Sequence, residues 1–249
     1  RLGSEVFING SLSEGKLNQV IETIREYEDI FKEKSISHYE IVATSAFRDT
    51  SNSEDARRYI ETAINHPLRI ISGLEEAKLI RFHPKSNTGK NKIFIDLGGG
   101  STEFFIRNEK DTTIRSFQLG AVRNMLEKDE KREWVRLEKW LKSIKPKKKI
   151  IGIGGNIRSF LDAHKSKEMS QTEFGKKVQS IAKLSTEEKM KKYGFSHDRA
   201  DVIDHALKIF KFISEQLEIQ QITSTKWGIS DSIAIKLFHE IYSNKITIT

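Results

Sequence analysis

No cysteine occurs among the 249 residues, which removes disulfides, thiolate metal sites and thiol nucleophiles together. The chemistry of this chain must therefore come from oxygen and nitrogen groups. Only 3 prolines are present, and no run of about 18 apolar residues occurs, so no membrane span is expected. The GxxxxGK[ST] spacing of P-loop proteins and the GxGxxG spacing of dinucleotide folds are both missing. No repeat of solenoid period is found either. With hydrophobic residues at 37% and charged residues at 31%, the balance is that of a folded, helix-rich protein. A chain of this length accommodates two domains of ordinary size, and a cytoplasmic location is expected.

What is abundant is positive charge. Lys and Arg number 43 against 35 Asp and Glu, a net charge of +8, which attracts polyanions to the whole surface. The densest lysine cluster, residues 145–149, surrounds Pro146 just ahead of an apolar strand and reads as a solvated loop. A nucleic-acid partner would rest on net charge alone and is disfavoured.

Apolar residues at helical spacing predict a helix over 17–31, from Leu17 through Val20, Ile21 and Ile24 to Phe31. A strand is expected at 39–44, a helix at 52–63 and a strand at 68–71. With the short apolar run that follows Arg1, this gives a β-α-β-α-β order, which implies parallel strands covered by helices. A short helix is expected from Glu75 to Ile80, then a polar loop over 84–92. Strands follow at 92–97, 103–107, 111–119 and 149–153, with a helix at 133–144. From Thr172 onward the pattern is mostly helical, including 186–192 and 199–217.

The strongest local signal is the segment Asp96-Leu97-Gly98-Gly99-Gly100-Ser101-Thr102-Glu103, set between two strands with no helix between them. Three glycines let backbone N–H groups approach an anion without Cβ atoms in the way. Asp96, at the strand end, is a hard oxygen ligand suited to Mg²⁺. A second glycine turn, Gly152-Ile153-Gly154-Gly155-Asn156, follows the strand at 149; alone, it is explained equally well as a strand-end turn. Glu75 and Glu76 open a short helix, where acidic residues are ordinarily dipole partners. Arg48 and Asn52 follow a parallel strand, the end at which α/β sheets bind ligands.

Taken in order, ATSAFRDTSN, IISGLEEA, IDLGGGSTE, SFQLGAVR, GIGGN and RADVI resemble the successive motifs of the exopolyphosphatase and guanosine pentaphosphate phosphohydrolase family, over about residues 39–235. The resemblance implies an α/β protein with two ribonuclease-H-like domains of the actin-like ATPase and sugar-kinase superfamily, and a phosphate chain in the cleft between them. The first domain would comprise 1–74 with a C-terminal helix at about 232–249, and the second 75–231. By resemblance, Glu76 is the general base, Asp96 the Mg²⁺ ligand, and Glu103 a second catalytic carboxylate assisting metal or water. Gly98, Gly99, Gly100, Ser101 and Thr102 form the phosphate loop, Arg48 and Asn52 line the cleft, and Gly154 and Gly155 form the second cradle. Ser116, Gly120 and Arg123 match an SxxxGxVR segment, while Arg199 to Asp201 match a structural one. The implied substrates are inorganic polyphosphate and guanosine pentaphosphate, with guanosine tetraphosphate as a ligand; a homodimer is compatible with the reading.

The sequence departs from the family pattern in three places. The family opens with a DxGSNS-like phosphate loop, which is absent here, so the first domain is expected to lack its first strands and Arg1 to stand inside a domain. Asn156 occupies the place of a threonine, and Trp227-Gly228-Ile229-Ser230-Asp231 replaces a glycine-leucine-arginine pattern. Without the first loop, a nucleotide-binding sensor that does not hydrolyse its ligand is the alternative. A small-molecule kinase would need an acceptor pocket of which the sequence gives no sign.

Overall fold

The structure is a computed structural model that describes residues 1–87, 91–107 and 111–246. The chain opens with helices α1 (Leu2–Asn9) and α2 (Glu14–Glu33), then strand β1 (Ile41–Ala43), helices α3 (Ser45–Asp49) and α4 (Ser53–Ile64), and strand β2 (Leu68–Ile70). β1 and β2 pair in parallel, Val42 opposite Arg69. The expected opening strand is therefore absent: the apolar run after Arg1 is helical and buries Val6 and Phe7. α2 begins where the Ser13 side chain accepts a hydrogen bond from the Lys16 N–H, satisfying one of the unpaired donors of a first turn. It lays Leu17 and Ile21 in the same core as Ala56, Ile60 and Ile64 of α4.

Helix α5 (Gly73–Leu79) leads through a 3₁₀ turn to strands β3 (Lys92–Leu97), β4 (Thr102–Arg107) and β5 (Thr112–Phe117). Ser72 and Glu75 form a reciprocal capping box that fixes the start of α5, a device that satisfies two orphan backbone donors at once. Then come α6 (Ala121–Met125), α7 (Lys131–Ser143), β6 (Lys149–Ile153), α8 (Gly155–Ala163), β7 (Glu168–Ser170), α9 (Gln171–Ile181), α10 (Thr186–Tyr193), α11 (His197–Ala200), α12 (Ile203–Gln216), β8 (Gln221–Ser224) and α13 (Ile229–Ile246). The stretch expected to be helical from Thr172 onward thus contains β8. The single helix expected over 199–217 is divided into α11 and α12.

The larger sheet has six strands in the order β5-β4-β3-β6-β8-β7. β3, β6 and β8 run parallel, while β4, β5 and β7 are antiparallel to their neighbours. β3 is buried along both faces, so its apolar residues divide by the two-residue period of a strand. Ile93, Ile95 and Leu97 join the main core with Phe104, Phe160 and Phe210. Phe94 joins a smaller cluster on the other face with Ile80, Phe105, Ile151 and Ile153. That second face also carries Asp96 and Glu103, the next residues in the same alternation. No helix among the described residues is long and apolar enough to cross a membrane.

Candidate active site

Asp96 and Glu103 are register partners across the β3–β4 hairpin, and Ser116 of β5 stands opposite Glu103. One row across the sheet therefore reads Ile153, Asp96, Glu103, Ser116. Glu76 reaches the same region from α5, and its charge raises the pKa of both sheet carboxyls. All three acidic side chains are buried. Burial removes water from a carboxylate and favours its neutral form. Asp96 is consequently pushed up to about 7 by burial first and by Glu76 second. Glu103 is raised by burial and by both neighbouring carboxylates, against hydrogen bonds from Ser101 and Ser116. Glu76 is raised by burial, with Arg48 opposing.

Arg48 ties this cluster to the glycine loop. Its Nη1 donates to the Ile71 carbonyl at 2.7 Å and to Glu76 Oε2 at 3.2 Å, and its Nη2 donates to Ser101 Oγ at 3.1 Å. The pair divides two openings. Glu76 borders an apolar groove of about 420 Å³ with Val42, Ile233 and Leu237, while Arg48, Ser101 and Ser116 border a polar chamber of about 440 Å³.

The glycine loop is held by its carbonyls. Ala121 N–H donates to Gly98 O at 3.0 Å, Val122 and Arg123 N–H groups donate to Gly99 O at 2.8 and 3.0 Å, and Arg123 Nε donates to Gly100 O at 2.9 Å. The N–H groups of Gly99, Gly100 and Ser101 donate to no protein acceptor among the described residues. A loop whose carbonyls are occupied and whose amides are free is an anion cradle. Gly120 makes the docking possible, because a Cβ there would stand 2.5 Å from the Gly99 and Gly100 backbone. The second turn lies beside the first: Gly154, at φ 98°, would place a Cβ 3.4 Å from Asp96 Oδ1.

The structure thus brings together Glu76, Asp96, Glu103, Arg48, Ser101, the three loop glycines and Gly154. Three expected residues, Asn52, Thr102 and Gly155, are occupied by other contacts. Asn52 braces the loop before α2, its Nδ2 donating to Leu12 O at 2.8 Å and its Oδ1 accepting from Leu12 N–H at 3.1 Å. Thr102 is fully buried at the start of β4 and donates to Leu119 O at 2.5 Å, so its hydroxyl fastens the loop rather than facing an anion. Gly155 is covered by the guanidinium of Arg199, which also bonds Asn156 Oδ1. Arg199, matched to a structural segment, therefore seats a cation on the second glycine turn, and burial beside Arg158 and Arg1 lowers its pKa. Sequence reading missed Asp49, which accepts from Arg123 Nη2 at 2.5 Å. Its only sequence signal is its place next to Arg48.

Among the described residues no three acidic or histidine side chains form a ready-made metal cage. What the site offers is a buried carboxylate, Asp96, that no hydrogen-bond donor among those residues reaches. Mg²⁺ is typically held by one or two carboxylates, with waters and phosphate oxygens completing the shell, so this donor set fits such an ion.

A profile of the Ppx/GppA phosphatase family matches residues 1–240. Solved structures are similar over nearly the whole chain, among them the following two. A Ppx/GppA family member from Aquifex aeolicus has 23% identity and a TM-score of 0.77, covering 97% of this chain and 87% of that one. An exopolyphosphatase from Cytophaga hutchinsonii has 19% identity and a TM-score of 0.81, covering 94% of this chain and 85% of that one. The architecture is that of the actin-like ATPase fold.

Proposed function

The chain belongs to the Ppx/GppA phosphatase family, and from that premise we propose that it hydrolyses the terminal phosphoanhydride of inorganic polyphosphate in a Mg²⁺-dependent reaction, with guanosine pentaphosphate as a second substrate. The observation that carries this reading is the Arg48 bridge, which joins a buried carboxylate, Glu76, to the free-amide loop at Ser101.

The terminal phosphate sits on the N–H groups of Gly99, Gly100 and Ser101, with Arg48 neutralising charge on its equatorial oxygens. Donors fixed before the reaction starts stabilise developing charge at no reorganisation cost. Glu76 orients the attacking water and takes its proton. The water oxygen forms the new bond to phosphorus, the anhydride P–O bond breaks, and the shortened chain leaves with that electron pair. A base works best when its pKa lies close to the operating pH, and burial moves Glu76 in that direction. Asp96, with Glu103 behind it, would hold Mg²⁺, which supplies charge neutralisation to the phosphate oxygens. Arg48 keeps Glu76 aligned until substrate arrives.

Phosphate release from long-chain polyphosphate and, separately, guanosine pentaphosphate should be measured with Mg²⁺ and with a chelator. Release that requires the metal supports the reading. Retained phosphate-chain binding with no release under either condition would replace it with a sensor.

A further inference from the structure

Arg123 makes three contacts at once. Besides Gly100 O, its guanidinium reaches Asp49 Oδ2 at 2.5 Å and lies 4.3 Å over the ring of Phe7. Asp49 ends α3 and follows Arg48 directly, whereas Arg123 belongs to the short helix that backs the glycine loop. The pair is shielded, with side-chain exposures of 11% for Arg123 and 18% for Asp49. The two residues are 74 positions apart, and no backbone hydrogen bond joins α3 to the loop. The loop also presses on the first half at Gly100, where an added Cβ would meet Phe7 at 2.6 Å and Ser45 at 2.7 Å. The phosphate loop and the helix behind it therefore touch α1 and α3 through Phe7, Ser45, Arg48 and Asp49.

We propose that Arg123 and Asp49 are positioning residues, a latch that fixes the phosphate loop against α3 so that Arg48 spans Glu76 and Ser101. A guanidinium suits this place because its planar fork serves the Gly100 carbonyl and the Asp49 carboxylate together while its face lies on Phe7. A lysine ammonium is a point charge and cannot hold both acceptors in that geometry. Neither residue touches the reacting atoms, so the latch acts through Arg48 and through the orientation of the loop amides. Misplacement of about 1 Å at a reacting centre costs on the order of 100-fold in rate.

The kinetic readout rests on the hydrolase reading above. Arg123→Gln, Asp49→Asn and the double variant are compared by polyphosphate hydrolysis, with Arg58→Gln, exposed on α4, as the control. The expected result is a kcat lowered about 10- to 100-fold in each single variant, a KM changed less than about 3-fold, and a double variant no worse than the poorer single one. Arg123→Lys, which keeps the charge and protects the fold, should recover only part of the loss. Losses that multiply in the double variant, or a lowered Tm with kcat intact, overturn the latch. Hydrogen exchange separates this outcome from failure of the hydrolase reading. Arg123→Gln and Asp49→Asn should each raise exchange both in 98–103 and in 45–52, whether or not the protein releases phosphate. A rise confined to the substituted segment also overturns the proposal.

Discussion

Asp96 and Glu103 stand directly opposite each other on one face of the β3–β4 hairpin, both buried. Facing residues in an antiparallel pair bring their Cβ atoms within about 4.5–5.5 Å, and like charges in that relation are destabilising. The chain places a third carboxylate, Glu76, close enough to raise both. A fold that gathers acids in its interior gives up stability there, and such sites are where perturbed pKa values coincide with function.

The first prediction concerns pH. In the folded protein Asp96 titrates at about 7, against about 3.9 when unfolded. Between those values the folded state holds a proton that the unfolded state has released, so stability falls as pH rises from about 4 through 7. His83 acts in the opposite sense: burial lowers its pKa to about 4, and stability is lost as pH falls below about 6.5. The Asp96→Asn variant isolates the first effect. In chelator, at pH 8, it should be more stable than wild type by on the order of 2–4 kcal/mol, with the difference shrinking toward pH 4. Urea titrations across this range measure it. Mg²⁺ should stabilise wild type at pH 8 and leave the variant unchanged.

Gly120 is predicted to tolerate no side chain. A Cβ there collides with the glycine-loop backbone, and backbone cannot swing aside as a side-chain tip can. Gly120→Ala should cost about 1–3 kcal/mol in stability and at least 10-fold in kcat, read from thermal unfolding and phosphate release on the same preparation.

Arg48→Lys should behave as a loss despite keeping its charge. Arg48 uses both terminal nitrogens to hold Ile71, Glu76 and Ser101, a geometry that an ammonium does not reproduce. Polyphosphate turnover is expected to fall about 100-fold, as for removal of one preorganised donor, with far-UV circular dichroism unchanged.

Much of the second half could be read from sequence, because β3, β4 and β6 are short, strongly apolar runs set off by glycine. The pairing of the acids came from the structure: the strand expected from 103 begins at Thr102, which makes Leu97 and Thr102 partners, and hence Asp96 and Glu103. Other features were hidden. The run after Arg1 is too short for its period to separate strand from helix, and packing of Val6 and Phe7 makes it helical. β8 carries one buried residue, Ile222, between polar ones, so its neighbours in the sheet, not its own pattern, define it. Asn52 and Thr102 matched a motif by residue type, but type does not set the direction of a side chain, and both face inward to brace loops. The Asp49–Arg123 pair depends on tertiary approach that no local pattern records.

The role proposed for Glu76 as the base is decided by kcat and KM of Glu76→Gln with long-chain polyphosphate. Glutamine keeps an oxygen acceptor for Arg48 but cannot take a proton from water. The expected result is a kcat lowered about 100- to 10,000-fold with KM within about 3-fold of wild type. A kcat close to wild type, or a loss carried wholly by KM, would remove Glu76 from that role.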